Sequence, residues 1–546
     1  MVGPKICWTT CDDDVSADPV AQGSVVTETS IARPAAAAAV SVLYRDAAMA
    51  APLRDEPPAF FRDLNLDQVV TALTADREEY HLAPLFFTRL TSVADVTYRQ
   101  QVARDLASPA MRQAVAEFAE AMRVVRRRIS FSQRLPHRYR KDAWLLEAAA
   151  RYLAAVNAID AALSVASPQS EGLRGFATHL ASYRRSAEYD RLALDAAQVR
   201  EQLAALRYCL HLEPGRLRVE RYDGQADYAE KVSELFARFR RDPATDYRQP
   251  ESRLHDLTHL EEWAVDRVAR LHPAAFDALA EFGERHSAFL DPMVTRFDRE
   301  AQFYLAYWDH IERMQAAGLS FCYPEITEDF AGLHVDAFFD LALTDKLVRQ
   351  DHPVVCNDVH LERSERVIVV TGPNQGGKTT FARAIGQIHH LAALGLPVPG
   401  RVARLPMCDE VFTHFERGEN LSNLRGKLED DLIRVHSILG RAGPRSLIVL
   451  NEIFNSTTLD DAVLLGRRVI EHVLRLGSVA VCVTFLDELA TISDQVVSMV
   501  AEVNPADPAT RTFRLSRRPA DGLAYTRVLA HSHALTYDTV VARLSR

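Results

Sequence analysis

Val367-Ile368-Val369-Val370-Thr371-Gly372-Pro373-Asn374-Gln375-Gly376-Gly377-Lys378-Thr379 is the stretch that decides the fold: a strongly apolar run breaks into G-x-x-x-x-G-K-[ST]. β-Branched residues before the glycines predict a buried strand, and the apolar spacing from Phe381 to Leu394 predicts a helix after them. Strand, Gly-rich turn and helix together are the setting in which this motif binds phosphate. Its glycines let backbone N–H groups turn inward, Lys378 reaches the β and γ oxygens, and the Thr379 hydroxyl can hold Mg²⁺. The helix N-terminus adds a dipole that favours anions. Gly372, Pro373, Asn374, Gln375, Gly376, Gly377, Lys378, Thr379 and Thr380 are therefore the expected contacts of a nucleoside triphosphate. What the nucleotide drives is not written in the loop, since one such loop serves many chemistries.

Outward from the loop towards the C-terminus, strand-like Ser446 to Leu450 and Val479 to Val483 flank the helical pattern Asp460 to Leu476. That alternation predicts a mostly parallel sheet covered by helices. About 70 residues past the loop, Leu447-Ile448-Val449-Leu450 ends in Asn451-Glu452, where such a nucleotide site ordinarily carries two acids. The first acid holds the metal and the second orients or deprotonates the attacking water. Asn451 can still accept a hydrogen bond but brings no negative charge, so with Thr379 it makes a weak metal position. Glu452 is the catalytic candidate.

Towards the N-terminus, Leu64 to Gly318 reads as helix after helix, as in Met111 to Ile129, Trp144 to Ala166 and Tyr189 to Leu206. One interruption, Tyr208 to Tyr222, alternates apolar and polar residues on both sides of Pro214-Gly215 and predicts a hairpin. Its Arg216, Arg218 and Arg221 are candidates to meet a phosphate backbone, although alternating charge also marks a solvated strand face. The run from Arg123 to Lys141 carries Arg123, Arg126, Arg127, Arg128, Arg134, Arg138, Arg140 and Lys141 with no acidic residue, and such runs more often pair within the protein or face solvent.

A chain of 546 residues exceeds one hydrophobic core, and the texture divides it in three. Residues 1–58 are expected to be a disordered tail and leader. Residues 59–320 form a helical domain with the hairpin near 207–223, and residues 321–546 the phosphate-loop domain. A net charge of −10 restricts any DNA contact to a local surface. No apolar run approaches bilayer thickness and no targeting segment is legible, so a soluble cytoplasmic protein is expected. The seven cysteines are scattered, and Cys7 and Cys11 have no second pair to complete a zinc site.

Several segments together resemble the MutS family of DNA mismatch-repair ATPases. Thr371 to Thr380 is similar to its T-G-P-N-M-G-G-K-S-T, with Gln375 for methionine and Thr379 for serine. Asp351-His352-Pro353-Val354-Val355 and Asn357-Asp358 resemble its R-H-P-V-V and P-N-D elements. Leu450-Asn451-Glu452-Ile453, Thr457 and Asp461 follow its M-D-E-I-G-R-G-T-S-T-Y-D-G, and Asp521 to Tyr525 through Arg543-Leu544 resembles its closing segment. The likeness is specific over 345–546 and looser over 60–320, where Tyr98 to Leu106 is similar to the start of the family's helical lever.

The resemblance implies an α + α/β architecture: a long helical lever and core, the hairpin as a reduced clamp, then the ATPase domain. It also implies ATP and Mg²⁺ as cofactors, a homodimer with composite sites, and duplex or branched DNA as partner beside repair or recombination proteins. No membrane is implied. The departures are as informative. The segment before residue 60 is too short for a mismatch-reading domain, and Phe118-Ala119-Glu120 and Phe282-Gly283-Glu284, which match the family's Phe-x-Glu wedge, sit in helical patterns and are expected in the core. Phe485 stands where the family has a histidine that senses the γ-phosphate, and it cannot donate a hydrogen bond. The family's trans-acting loop corresponds to Gly426 to Leu432 without its serine, leaving Ser422, Asn423 and Arg425 as candidates for that contact.

The expectation is a slow ATPase that dimerises and clamps DNA without reading mismatches. An ABC-type transporter subunit is the rival within enzymes, but no L-S-G-G-Q signature is present. A nucleotide-gated switch of a protein partner, with little hydrolysis, is the rival from another class, and Asn451 and Phe485 favour it.

Overall fold

Stretches poor in Gly and Pro, with apolar side chains every three or four residues, fold as helices through much of residues 60–316. The computed structural model describes residues 40–46, 52–213, 216–224, 258–415, 426–504 and 507–520, with Tyr537 and Val541. The expected tail up to residue 39, Cys7 and Cys11, the hairpin turn at Pro214-Gly215, the candidates Ser422, Asn423 and Arg425, and the segment from Asp521 to Tyr525 lie outside the described residues. Two compact units emerge, one from residues 113–167 and 175–298, the other from 40–112, 168–174 and 299 onward.

In the first unit, helices Arg138–Ala166, Ala187–Ala204 and Pro273–Arg285 pack on one another. Ser186 starts the second of these by accepting the Tyr189 N–H through its hydroxyl at 3.2 Å, a serine N-cap. Phe118 and Phe282 are buried to 3% and 1% exposure, and Phe118 tilts against Phe297, so both wedge-like phenylalanines belong to the core while Glu120 and Glu284 stay exposed. The predicted hairpin forms from β1 (Tyr208–Glu213) and β2 (Arg216–Arg221), antiparallel, with His211 opposite Arg218 and Glu213 opposite Arg216. Arg218 pairs with Glu220 at 2.5 Å and Arg221 donates to the Leu271 carbonyl at 3.2 Å. The basic run turns inward as well: Arg126 meets Asp298, Arg140 meets Glu262 at 3.1 Å, and Arg128 lies over the Trp144 ring.

The second unit carries β3 (Phe321–Cys322), β4 (Glu325–Thr327), β5 (Leu333–Phe338), β6 (Asn357–Leu361), β7 (Val367–Thr371), β8 (Val398–Pro399), β9 (Val402–Pro406), β10 (Val411–His414), β11 (Leu447–Asn451), β12 (Val479–Val483), β13 (Val496–Asn504) and β14 (Asp507–Arg517). Six of them make one sheet in the order β10-β11-β12-β7-β13-β14, parallel except for β14. Every residue of β7, β11 and β12 is buried, as a sheet covered on both faces requires. Register aligns Asn451 with Val483, and Val483 with Val370. The phosphate loop, Glu452 and Phe485 therefore leave the sheet at one edge, the carboxyl ends of the strands, where open parallel sheets bind ligands. A four-stranded sheet, β4-β9-β5-β6, and the pair β3-β8 complete the unit. Among the described residues no helix is long and apolar enough to cross a membrane.

Candidate phosphate-binding site

The loop leaves β7 through Gly372 at φ +115° and enters helix Lys378–Ala393 through Gly377 at φ +91°. Both angles are ones an L side chain resists, and a Cβ at Gly372 would stand 3.0 Å from the Ala501 backbone nitrogen. Gln375 also takes a positive φ, +61°, inside the turn. The pattern of glycines thus follows from the path the backbone must take around an anion.

Lys378 is nearly buried, and its Nζ donates to the carbonyls of Gly372 at 2.9 Å and Pro373 at 3.1 Å. The ammonium also stands 4.2 Å from the centre of the Phe485 ring, a cation–π contact. Burial pushes its pKa down to about 8; Glu452 opposes that shift, and the charge of Arg511 adds to it. An ammonium short of water and held by two neutral carbonyls is a strong receptor for phosphate oxygens.

Thr379 and Asn451, 72 positions apart, are brought together: the Thr379 hydroxyl donates to Asn451 Oδ1 at 2.9 Å. Glu452 follows with φ +55°, its backbone N–H bound to the Val483 carbonyl at 2.9 Å and its Oε2 accepting from Asn455 at 3.3 Å. Asp461 serves structure instead. It accepts the Thr458 hydroxyl at 2.8 Å while Thr458 caps helix Leu459–Leu476.

A cavity of about 480 Å³ opens over the loop, lined by Asn374 to Phe381 and Glu452 on one side. Its other walls are mostly apolar, with Phe338, Leu343, Leu347, Pro353, Val354, Val355 and Phe513 beside the polar Asp340, Thr344 and Asn357. The volume and the division into a polar and an apolar end suit a nucleotide, with phosphates on the loop and the base between apolar side chains. One of these walls, Phe513, was invisible to sequence reasoning. Phe513 lies against Gly377 because its φ is +58°, and Asn357 fixes it there, donating to the Phe513 carbonyl at 3.1 Å and accepting the Leu515 N–H at 2.7 Å. Arg511 was missed too; its Nε donates to the Asn374 carbonyl at 3.1 Å. The alternation in Arg511-Thr512-Phe513 was the available signal for a strand, but not for one folded against the loop.

The residues fit Mg²⁺ poorly. Asp340 and Glu452 are the carboxylates lining the cavity among the described residues. Asp340 Oδ1 already accepts from Leu343 N and Gln387 Nε2, both at 3.0 Å. Among the described residues no three His, Cys, Asp or Glu side chains gather as a metal site. Of the remaining expected positions, Arg218 and Arg221 stand on the hairpin in the first unit with the partners given above, and the Arg216 side chain lies outside the description.

Residues 368–525 match the family model described as MutS domain V. The chain is 28% identical over 241 residues to the DNA mismatch repair protein MutS of Chlorobium phaeovibrioides, covering 43% of this chain and 26% of that protein. It is 29% identical over 233 residues to DNA mismatch repair protein MutS of Granulibacter bethesdensis, 42% of this chain and 24% of the relative. DNA mismatch repair protein msh3 of Aspergillus fumigatus is 33% identical over 141 residues, 26% of this chain and 13% of the relative. The chain thus spans about a quarter or less of the length of these curated relatives.

Proposed function

Because this chain belongs to the MutS family, we propose that it binds ATP at the Gly372–Thr380 loop and uses the nucleotide to control a DNA clamp in mismatch repair or a related DNA transaction. The observation that carries the reading is the Lys378 ammonium, buried at the floor of a nucleotide-sized cavity and held only by neutral partners among its hydrogen bonds. The loop's backbone dipoles and Lys378 take the phosphates, Thr379 and Thr380 stand at the same helix start, and Phe513, Pro353 and Val354 offer the base an apolar bed. Glu452 is the carboxylate placed to orient a water at the γ-phosphate, which supports slow hydrolysis.

In this reading residues 59–320 are the helical lever and core, 321–546 the ATPase domain, and two chains pair through their ATPase domains. Ser422, Asn423 and Arg425 complete the partner's site. DNA, duplex or branched, meets the hairpin arginines Arg216, Arg218 and Arg221, and the protein works in the cytoplasm with repair or recombination proteins. Mg²⁺, expected from the family, would have only the Thr379 hydroxyl and the neutral Asn451 oxygen to meet it, a weak position. The second reading, a nucleotide-gated switch with little hydrolysis, is favoured by Asn451 and by Phe485, whose ring engages Lys378 and has no proton to give the γ-phosphate.

One experiment tests both. Lys378→Ala should weaken ATP binding by roughly 10- to 100-fold, the scale of a lost charge-assisted contact. Glu452→Gln should keep ATP binding and lose turnover. Undiminished ATP affinity in Lys378→Ala rejects the site, and absence of turnover in the wild type decides for the switch.

A further inference from the structure

Helix Leu341–Arg349 has two different faces. Leu343, Thr344 and Leu347 line the cavity over the loop, whereas Asp345, Lys346 and Arg349 line a second cavity of about 270 Å³ that shares no residue with the first. Gln68 from helix Leu66–Thr74 and His310 from helix Pro292–Ala316 stand in its other walls. Asp345 is the one carboxylate that lines it among the described residues, and both its oxygens are engaged: Oδ1 lies 3.4 Å from Arg313 Nη2, and Oδ2 accepts Arg349 Nε at 2.9 Å. Asp309, next to His310 in the chain, is held by Arg77. Lys346 has no ion-pair partner among the described residues. Three cations, Arg313, Lys346 and Arg349, thus face one carboxylate, and two positive charges stay uncompensated. Helix capping does not use them, since backbone meets the last carbonyls: Leu347 O takes the N–H groups of Gln350 and His352 at 3.0 and 2.9 Å, and Val348 O that of Asp351 at 3.2 Å. His310 adds an unspent polar group, 4% exposed and with no hydrogen-bond partner for Nε2 among the described residues. Burial holds its pKa down at about 4; Asp345 opposes that shift, and the charges of Arg313 and Arg349 add to it.

We propose that this second cavity is an oxyanion site, which takes a doubly charged phosphate group between Lys346 and the outer nitrogens of Arg349, with the side-chain amides of Gln68 and Gln350 as neutral donors. Lys346 and Arg349 are three residues apart on one helix face, where like charges repel until an anion joins them. A dianion matches the two uncompensated charges, and the Arg349 Nη groups remain available because Asp345 holds that residue by Nε. The site is independent of the ATP reading, since none of its residues belongs to the phosphate loop or to the cavity above it.

The test is titration calorimetry of the full chain with inorganic phosphate at fixed ionic strength and about pH 8, where a phosphate group is doubly charged. Glycerol 3-phosphate serves as the ester probe and acetate as the monoanion control. Because the phosphate loop also attracts phosphate, every titration is made in a Lys378→Ala background. Saturable phosphate binding should persist there, and adding Lys346→Gln should weaken it by roughly 10-fold or more, the scale of a lost charge-assisted contact. Asp345→Asn, which removes the opposing carboxylate and releases both guanidiniums, should tighten binding by about 3-fold or more, a gain that a purely structural Asp345 would not give. Phosphate bound at least as tightly as the ester assigns the site to the free ion, and tighter ester binding assigns it to a phosphorylated small molecule. The proposal is overturned by no saturable binding in Lys378→Ala, by acetate binding as tightly as phosphate, by Lys346→Gln matching its parent, or by no gain from Asp345→Asn. None of these results bears on ATP at the loop, which is measured separately in the wild type.

Discussion

Lys378 shows how one residue carries both affinity and pH dependence. Its amine is held near pKa 8 by burial, so a fraction loses its charge in mildly basic solution. Bound phosphates favour the charged form and raise that pKa. The affinity gained from the ammonium is therefore fully present below about pH 8 and is lost as pH rises above it, towards the higher pKa of the bound state. ATP binding measured from pH 6.5 to 9.5 should be flat at first and then weaken by up to ~10-fold per pH unit, the limit for one linked proton. Binding that is level to pH 9.5 would mean that Lys378 titrates well above the cavity's working range. Phe485 belongs to the same account: a ring in place of a histidine removes a donor from the phosphate end and gives the resting ammonium an aromatic partner at 4.2 Å.

Helix Lys378–Ala393 carries the loop at one end and a buried polar clasp near the other. Gln387, with no exposure, donates through Nε2 to the Leu64 carbonyl at 2.8 Å and to Asp340 Oδ1 at 3.0 Å, while its Oε1 accepts the Leu341 N–H at 2.8 Å. Asp340 caps helix Leu341–Arg349, whose Leu343 and Leu347 line the cavity over the loop. The clasp therefore joins the loop's own helix to a wall of the site. Gln387→Ala would strand a buried N–H and a buried carbonyl, each costing ~1–3 kcal/mol. The expected result is a lower urea midpoint and a weaker ATP affinity together, read by denaturation and titration. Loss of stability with unchanged ATP affinity would show that the clasp holds the fold without shaping the cavity. Helical periodicity marks this helix in the sequence, but the chain offers no local sign that Gln387 is buried, because its three partners lie 46 to 323 positions away.

At the scale of the whole molecule the prediction concerns DNA. Binding should rest on phosphate contacts from the helical half and its hairpin, so affinity should fall steeply from 50 to 200 mM salt, by 10-fold or more for even ~2 contacts. Charge reversal at Arg216, Arg218 and Arg221 should weaken all duplexes alike and leave ATP affinity unmoved. A G·T mispair should be preferred by less than ~10-fold, below the ~1–3 kcal/mol of one specific base readout at its upper range. A larger preference in a competition assay would place a mismatch reader in this chain, and no DNA binding at low salt would favour the protein switch. The pairing of Arg218 with Glu220 predicts the smallest effect for that residue, since part of its charge is already neutralised.

Sequence alone determined what depends on neighbours along the chain: the strand, loop and helix around Lys378, the hairpin at Tyr208–Arg221, and the long helices, because backbone conformation, glycine content and apolar period are local properties. It also marked Asn451 and Glu452 as a pair at a strand end. Tertiary structure decided which distant groups meet. Only the parallel register that sets Asn451 beside Val483, and Val483 beside Val370, brings Asn451 to Thr379 and Phe485 to Lys378. Only the return of β14 along β13, with its irregular register and the positive φ of Phe513, puts Arg511 and Phe513 on the loop. Such meetings are set by sheet order and packing across separations of 72 to 137 positions, and no periodicity within either segment encodes them.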